Sequence, residues 1–169
     1  MNIFAYDPCP RLSALWLDDI RKNKMIVESS QLLSTTVHIL CPNLSGHVYK
    51  MAYRNHPCAI WARESHANFK WLLDNLKAMH EQRGKPHESA KLLPFFNLFC
   101  DNSSGNFPQK NITPFANCAR NKNLGIDFTG MADTHLAYRL YTAERWRQDT
   151  ITLSWRHGEE PLWRNIKVN

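Results

Sequence analysis

Residues 17–35 alternate between apolar and polar side chains with a helical period, and one narrow polar strip stands out among them. At about 100° per residue, this strip falls within an arc of roughly 80°. Its members are Arg21, Lys24, Glu28, Gln31 and Thr35. Apolar residues flank the arc on both sides, so the pattern favours a polar strip that faces a cleft rather than open water. An internal Lys–Glu pair on a half-exposed helix would give the same pattern.

The same periodicity, read with the turn-forming residues, predicts the rest of the fold. It predicts an extended segment over residues 1–6 and helices over about 12–39, 58–82, 89–100 and 133–149. Residues 84–131 hold four of the nine prolines and four of the six glycines, which is typical of an irregular region. We therefore expect a mainly α protein with one domain over residues 1–169. Its architecture should be a helical bundle with a long central helix and a long irregular loop region.

The net positive charge of the chain indicates, in addition, a polyanionic partner. The formal net charge is +6, and the basic residues are spread along the chain without a basic tail. Basic side chains that line a folded groove would give this distribution, and duplex DNA is the expected partner. No signal peptide and no membrane-length apolar run is present, so we expect a cytoplasmic protein that does not bind membranes, in the host cytoplasm if it is viral.

The cysteines favour neither a disulfide framework nor a zinc motif. There are five, which is an odd number, their spacings are wide, and none forms a C-x-x-C pair. His56 and Cys58 are too close in sequence to form a metal site without distant helpers. The sequence therefore predicts no metal and no other cofactor.

Candidate chemistry centres on Lys24, Glu28 and Asp19 in the long helix. Partial burial and the neighbouring Arg21 both disfavour a charged amine at Lys24, and a neutral lysine can act as a nucleophile and form a Schiff base. Glu28, one turn further on, is placed for general acid–base catalysis, and Asp19 could line the opening of the same cleft. A surface or ion-paired lysine and a solvated aspartate are the plainer interpretations.

A second polar cluster surrounds the start of the next predicted helix. It is formed by Arg54, Asn55, His56, Arg63, Glu64 and Asn68. Such groups can bind phosphate or move protons, although Asn-His-Pro is also an ordinary helix start. We expect His56 and Glu64 to join the catalytic group, and this cluster to share one pocket with the strip. The expected nucleic-acid contacts are Arg21, Arg54, Asn55, Arg63, Asn68, Lys85, His87 and Arg139.

Several segments in this order resemble a family of small phage and large-virus proteins, whose phage members are identified as pyrimidine-dimer DNA glycosylases. The resemblance covers essentially the whole chain. Its motifs include Asp7-Pro8-Cys9-Pro10, the strip of the long helix with Gln31-Leu32-Leu33-Ser34, Asn55-His56-Pro57, Trp61-Ala62-Arg63-Glu64-Ser65, Thr113-Pro114-Phe115 with Asn117-Cys118, and Ala137-Tyr138-Arg139. It implies a small, basic, all-helical protein that uses an amine nucleophile and a glutamate.

The resemblance does not identify which amine of this chain would be the nucleophile. The well-studied phage enzyme uses the α-amine of a threonine exposed by methionine removal, whereas Asn2 follows Met1 here, and we expect Lys24 in that role. The leading hypothesis is a base-excision DNA glycosylase for damaged or modified pyrimidines, with strand scission through an imine. The alternatives are a nucleobase- or nucleotide-modifying enzyme, and a non-catalytic factor of phage infection that binds DNA or a host protein.

Overall fold

A computed structural model describes residues 1–167 and has a mainly α fold, which confirms the predicted fold class. Within these residues the only strands form a two-residue antiparallel pair, β1 (Arg120–Asn121) and β2 (Ile126–Asp127). Short 3-10 helices connect the α-helices, and the apolar residues form one contiguous core. The α-helices are α1 (Pro10–Leu15), α2 (Asp19–Leu40), α3 (Pro57–Glu64), α4 (His66–Glu81), α5 (Leu93–Asn102) and α6 (Thr134–Gln148).

Helix α2 is the long central helix, and it packs against both α3 and α4. Its buried side includes small hydroxyl residues as well as Met25 and Leu33. The hydroxyl groups of Ser30 and Ser34 each donate to the carbonyl four residues earlier, at 2.7 Å. Because these hydroxyls are satisfied within the helix, they can be buried at little cost, and α2 can be enclosed on most sides.

Two helices predicted as continuous are each divided in the structure. The first is interrupted after Leu15, and the side chain of Asp18 then caps α2 by accepting from the backbone N–H groups of Ile20 and Arg21. The second is interrupted at Ser65, whose hydroxyl accepts from the N–H of Asn68. Side-chain capping replaces helical hydrogen bonds that each break removes, so both breaks cost little free energy.

The first six residues contain no helix or strand and are mostly buried against α6, but a turn at Phe4 interrupts the extended segment that the sequence predicts. The Tyr6 hydroxyl lies 3.0 Å from the Thr142 hydroxyl, and His135 lies 2.7 Å from the carbonyl of Ala5. The guanidinium of Arg139 donates to the carbonyl of Tyr6 at 2.8 Å. These contacts fix the start of the chain beside α6, and the site described below depends on them.

Lys22 lies on α2 with only 2% of its surface exposed, and its ammonium has no hydrogen-bond partner among residues 1–167. The segment around Gly158 covers it so closely that a Cβ on this glycine would lie 2.8 Å from Nζ. Burial lowers the pKa of Lys22, although Asp19 and Asp18 oppose the shift. An unpartnered buried ammonium costs stability, which makes Lys22 a testable position.

Replacing this ammonium with an apolar side chain of similar length should stabilise the protein. We expect Lys22→Met to raise the free energy of unfolding by about 1–3 kcal/mol at neutral pH. The pKa of Lys22 is lower in the folded protein than in the unfolded chain. The stability advantage of Lys22→Met over wild type should therefore shrink as pH rises from the folded-state pKa to the unfolded-state pKa. Urea unfolding at several pH values measures this. Lys70→Met, at an exposed lysine paired with Asp74, is the control and should change stability little. A destabilised Lys22→Met protein would contradict the argument.

Candidate active site

A cavity of about 430 Å³ lies where the start of the chain meets α2 and α6. Its volume is within the range of small-molecule and nucleotide sites. Polar and apolar side chains from five separate parts of the chain form its walls. They are Met1, Asn2, Phe4, Ile20, Arg21, Lys24, Met25, Glu28, His56, Cys118, Arg120, Tyr141, Arg145, Asp149 and Ile151.

The Glu28 carboxylate lies near two amines and accepts a hydrogen bond from one backbone N–H. Its Oε2 lies 3.8 Å from the α-amino nitrogen of Met1 and accepts from the N–H of Asn2 at 2.9 Å. Its Oε1 lies 3.7 Å from Nζ of Lys24. The Glu28 side chain is only 14% exposed, whereas that of Lys24 is 70% exposed. One largely buried carboxylate therefore lies between the α-amine of Met1, a half-buried residue, and the amine of the solvent-facing Lys24 side chain.

A strained turn places the α-amine of Met1 beside Glu28. Phe4 has a φ of 40°, in the left-handed region that an aromatic residue rarely adopts. The Asn2 side chain supports this turn, because its Oδ1 accepts from the N–H of Ile3 at 2.8 Å and its Nδ2 donates to the carbonyl of Cys118 at 3.4 Å. Such strain persists only where the surroundings enforce it, and it is common at functional sites.

Arg21 forms the base of the cavity within a buried ionic network. It donates to Asp18 at 2.9 Å and to Asp149 at 2.6 Å. The indole of Trp146 donates to the same Asp18 carboxylate at 2.9 Å. Burial alone would lower the pKa of Arg21, but the two carboxylates outweigh it and raise the pKa. Through these two carboxylates, Arg21 links α2 to the C-terminal end of α6.

Three other cations face the cavity, namely Lys24, Arg120 and Arg145. Arg120 pairs with Asp127 at 3.0 Å but is half exposed. Arg145 lies over the ring of Tyr141 at 5.9 Å, and its buried Nε has no hydrogen-bond partner among the described residues. An unsatisfied guanidinium donor beside two further cations favours an anionic ligand.

On the other side of the cavity, the donor atoms of His56, Cys58 and Cys118 all lie within 4.8 Å of one another. His56 caps α3 through Nδ1, which accepts from the N–H of Cys58 at 3.2 Å. Burial lowers the pKa of His56, and the nearby α-amine lowers it further while Glu28 opposes both. The net shift favours the neutral form of the imidazole.

The two cysteines of this cluster share a hydrogen bond. The Cys58 thiol donates to Cys118 across 3.7 Å. This bond lowers the pKa of Cys118, and the α-amine of Met1 adds to that shift while burial opposes it. The same bond, together with burial, raises the pKa of Cys58 well above its ordinary value. Cys118, which faces the cavity, is thus the member of the pair that ionises first.

Of the residues proposed from the sequence, the cavity brings together Arg21, Lys24, Glu28 and His56. Asp19 is on α2 but does not line the cavity. Its carboxylate accepts from the hydroxyl of Ser154 at 2.7 Å and from the N–H of Arg156 at 3.2 Å, so it holds the C-terminal segment instead. The shared pocket thus includes the helix start at His56 but not the rest of that polar cluster.

That remaining part of the cluster organises loops. Arg63 donates to the carbonyl of Arg54 at 2.7 Å. Glu64 accepts from the hydroxyl of Thr113 at 2.9 Å, and the buried Asn68 donates to the same hydroxyl at 2.7 Å. These contacts fix the loop that leads to Cys118, so the residues support the cavity without lining it.

The other predicted nucleic-acid contacts also lie outside the cavity. Arg54, Asn55 and Lys85 are exposed. His87 caps the 3-10 helix that follows it, with Nδ1 accepting from the N–H of Ser89. Arg139 binds the carbonyl of Tyr6 and lies 5.5 Å from the ring centre of Trp16, so its guanidinium is used within the protein.

Sequence reasoning missed Met1, Cys118, Arg120 and Arg145 as parts of the site. Cys118, Arg120 and Arg145 are contributed by segments far from α2 in sequence, and no metal-ligand or catalytic spacing marks Cys118 or Arg120. Arg145 had a weak signal, since it lies one helical turn after Tyr141 and can stack on that ring.

The chain matches no protein-family model, no curated protein and no solved structure. Within residues 1–167, no helix has both the length and the apolar character needed to cross a membrane. The case for a function therefore depends on the geometry of the cavity.

The shared hydrogen bond between the cysteines predicts unequal reactivity. In reduced, chelator-treated protein, Cys118 should be alkylated at a lower pH than an ordinary thiol, because the bond from Cys58 stabilises its thiolate. Cys58→Ala removes that donor and should move the pH midpoint of Cys118 alkylation upward. Iodoacetamide labelling followed by peptide mass spectrometry measures both. Cys100→Ala, at a buried thiol outside the cluster, should leave the midpoint unchanged. An unchanged midpoint in Cys58→Ala would disprove the coupling.

Proposed function

We propose that this protein is a DNA-acting enzyme that uses an amine nucleophile to excise a damaged or modified pyrimidine and then cleaves the strand through an imine. The observation that supports this most strongly is the placement of the α-amine of Met1 and a largely buried glutamate together in a cationic cavity. The resemblance of the chain to phage pyrimidine-dimer glycosylases points in the same direction.

The cavity suits a nucleotide that has left the base stack. Its volume of about 430 Å³ accepts one nucleotide, and Phe4 and Tyr141 provide aromatic walls beside it. The cations Lys24, Arg120 and Arg145 can contact flanking phosphates, since among residues 1–167 only Arg120 of these three has a carboxylate partner outside the cavity. Enzymes that act on a base need this combination of an enclosed pocket and a positive rim.

Of the two amines beside Glu28, we assign the nucleophile to Met1. α-Amines as a class lose their proton more readily than lysine side chains, with reference pKa values of about 8 and about 10.4. The amine of Met1 is also held beside Glu28 by the strained turn at Phe4, whereas the Lys24 side chain is 70% exposed. Removal of Met1 would leave the amine of Asn2 beside the same carboxylate, because that nitrogen lies 2.9 Å from Glu28. Lys24, mostly exposed, then serves as a phosphate contact.

The reaction follows from this arrangement. The neutral amine attacks C1′ of the deoxyribose while the bond from C1′ to the base breaks, and the departing base takes the electron pair and a proton from solvent water. Glu28 accepts the proton that the attacking nitrogen loses and stabilises positive charge on the sugar. Opening of the sugar ring gives an iminium, and loss of a C2′ proton expels the 3′ phosphate oxygen. Water then hydrolyses the imine and frees the amine.

Borohydride trapping tests this proposal, because borohydride reduces the iminium to a stable protein–DNA adduct. We expect an adduct with a duplex that contains an abasic site and with a UV-irradiated duplex. Glu28→Gln should lower the trapping rate by at least about 100-fold, since it removes the proton acceptor but keeps the shape. Two residues added before Met1 should abolish trapping, because they move the amine out of the cavity.

The controls separate the two amines and exclude loss of fold. Lys24→Gln should still be trapped, as should Lys70→Gln, which alters another exposed lysine paired four residues along its helix. Trapping that survives the added residues but is lost in Lys24→Gln would reassign the nucleophile to Lys24. Absence of any adduct from the folded protein with either duplex would overturn the amine mechanism.

The cationic rim predicts salt-dependent binding to DNA. Each phosphate contact contributes about −0.9 to the slope of log affinity against log salt concentration. Arg145→Gln should therefore flatten the slope by about one unit, measured by fluorescence anisotropy between about 50 and about 200 mM salt. Arg11→Gln is the matched control, because Arg11 is exposed, pairs with Glu81 and does not line the cavity. Equal slopes for wild type and Arg145→Gln would remove Arg145 from the interface.

A further inference from the structure

We propose that His56, Cys58 and Cys118 form a Zn²⁺ site in the wall of the cavity. The inference does not depend on the proposed DNA chemistry, because it rests on the donor atoms and their positions alone. These three side chains are the only group of at least three metal-binding side chains within residues 1–167 whose ligand atoms lie this close together.

The distances suit zinc. In a tetrahedral site, two sulfurs that each lie about 2.3 Å from the metal are about 3.8 Å apart. The sulfurs of Cys58 and Cys118 are 3.7 Å apart. The imidazole nitrogen lies within 4.8 Å of both sulfurs, whereas bond lengths of about 2.0–2.1 Å to nitrogen and about 2.3 Å to sulfur imply about 3.6 Å between them in a tetrahedral site, so metal binding would draw the ring closer to the sulfurs.

The donor types select the metal. Two thiolates and one imidazole are soft to borderline ligands, which favour Zn²⁺ over the hard cations Mg²⁺ and Ca²⁺. No carboxylate belongs to the group of three. Metal binding displaces the two thiol protons into solvent, and the resulting two negative charges neutralise the cation.

The fold holds the donors in place by contacts of its own. His56 and Cys58 are fixed because they form the N-cap and the first turn of α3, and Cys58 is fully buried. The backbone N–H of Cys118 donates to the hydroxyl of Tyr138 at 3.1 Å, and that hydroxyl donates to the carbonyl of Ala116 at 2.7 Å. A long-range loop thus brings the third donor to the other two, and buried polar contacts maintain it there.

The fourth coordination position opens toward the cavity. His56 and Cys118 both line it, whereas Cys58 lies behind them. Three protein ligands with one open position are typical of zinc sites that bind a water or a substrate atom, whereas structural sites have four protein ligands. The site would therefore place an exchangeable zinc ligand inside the cavity that holds Glu28.

The competing outcome is a reversible disulfide. A bond between Cys58 and Cys118 would require the sulfurs to approach from 3.7 Å to about 2.05 Å, with loss of two protons and two electrons to an oxidant. Zinc binding and this bond exclude each other, because both use the same two sulfurs. Counting free thiols therefore distinguishes them.

The test uses the reduced full-length protein after chelator treatment. We expect one Zn²⁺ per chain after gel filtration, measured by elemental mass spectrometry. We expect Co²⁺ to give the intense visible bands of a tetrahedral site and a thiolate charge-transfer band. Cys118→Ser should weaken Zn²⁺ binding by more than about 100-fold, since even second-sphere changes cost 10- to 100-fold. Competition with a chromophoric chelator measures the affinity.

Two further variants keep the result interpretable if Cys118→Ser folds poorly. His56→Asn retains an oxygen that can cap α3 but removes the imidazole, and it should also abolish the tetrahedral cobalt spectrum. Cys100→Ser is the matched control, because Cys100 is a buried thiol 3.4 Å from His66 without a third donor, and it should bind zinc as wild type does. The proposal is overturned if reduced wild-type protein binds zinc no more tightly than Cys118→Ser or His56→Asn. It is equally overturned if the two thiols form a disulfide that persists in reductant.

Discussion

The buried carboxylate of Asp18 is the interaction on which the rest of the structure depends. It caps α2, pairs with Arg21 and accepts the indole N–H of Trp146, so one fully enclosed group joins the start of α2 to α6. Removing one partner of such a buried ion pair typically costs 3–5 kcal/mol, because the remaining charge is left uncompensated. Arg21 and Asp149, which bond to each other in this junction, also line the cavity, so the junction forms part of the cavity wall.

Much of the fold follows from local sequence pattern, and the exceptions have a common cause. The helical period locates α2 and α6, although it predicts α2 as part of a longer helix from about residue 12 and both helices bury residues on most sides. The interruption at Ser65 escapes such reasoning because the helical period continues on both sides of it. Long-range bonds stabilise the break, with the N–H groups of His66 and Gln109 donating to the carbonyls of Gln109 and Glu64. Only the folded chain reveals that compensation.

Local sequence pattern likewise predicts only part of the candidate site. Glu28 and Lys24 could be predicted because they share one face of one helix, and His56 because it precedes a helix start. Cys118 could not, since it follows Cys58 by 60 residues and the intervening loop is placed by Asn68 and Thr113. The odd count and wide spacing of the cysteines therefore argued against a cluster that tertiary structure nevertheless assembles.

The cavity takes its walls from widely separated parts of the chain, with Met1 and Asn2 on one side and Asp149 and Ile151 on another. A ribosome delivers the chain from its N-terminus, so Glu28 and its amine partners emerge well before α6 exists. Until α6 docks, that carboxylate is surrounded by water, which weakens its electrostatic influence on neighbouring groups. The walls of the cavity are therefore complete only after residue 151 has been translated, and a translation product that ends before α6 lacks one side of the cavity.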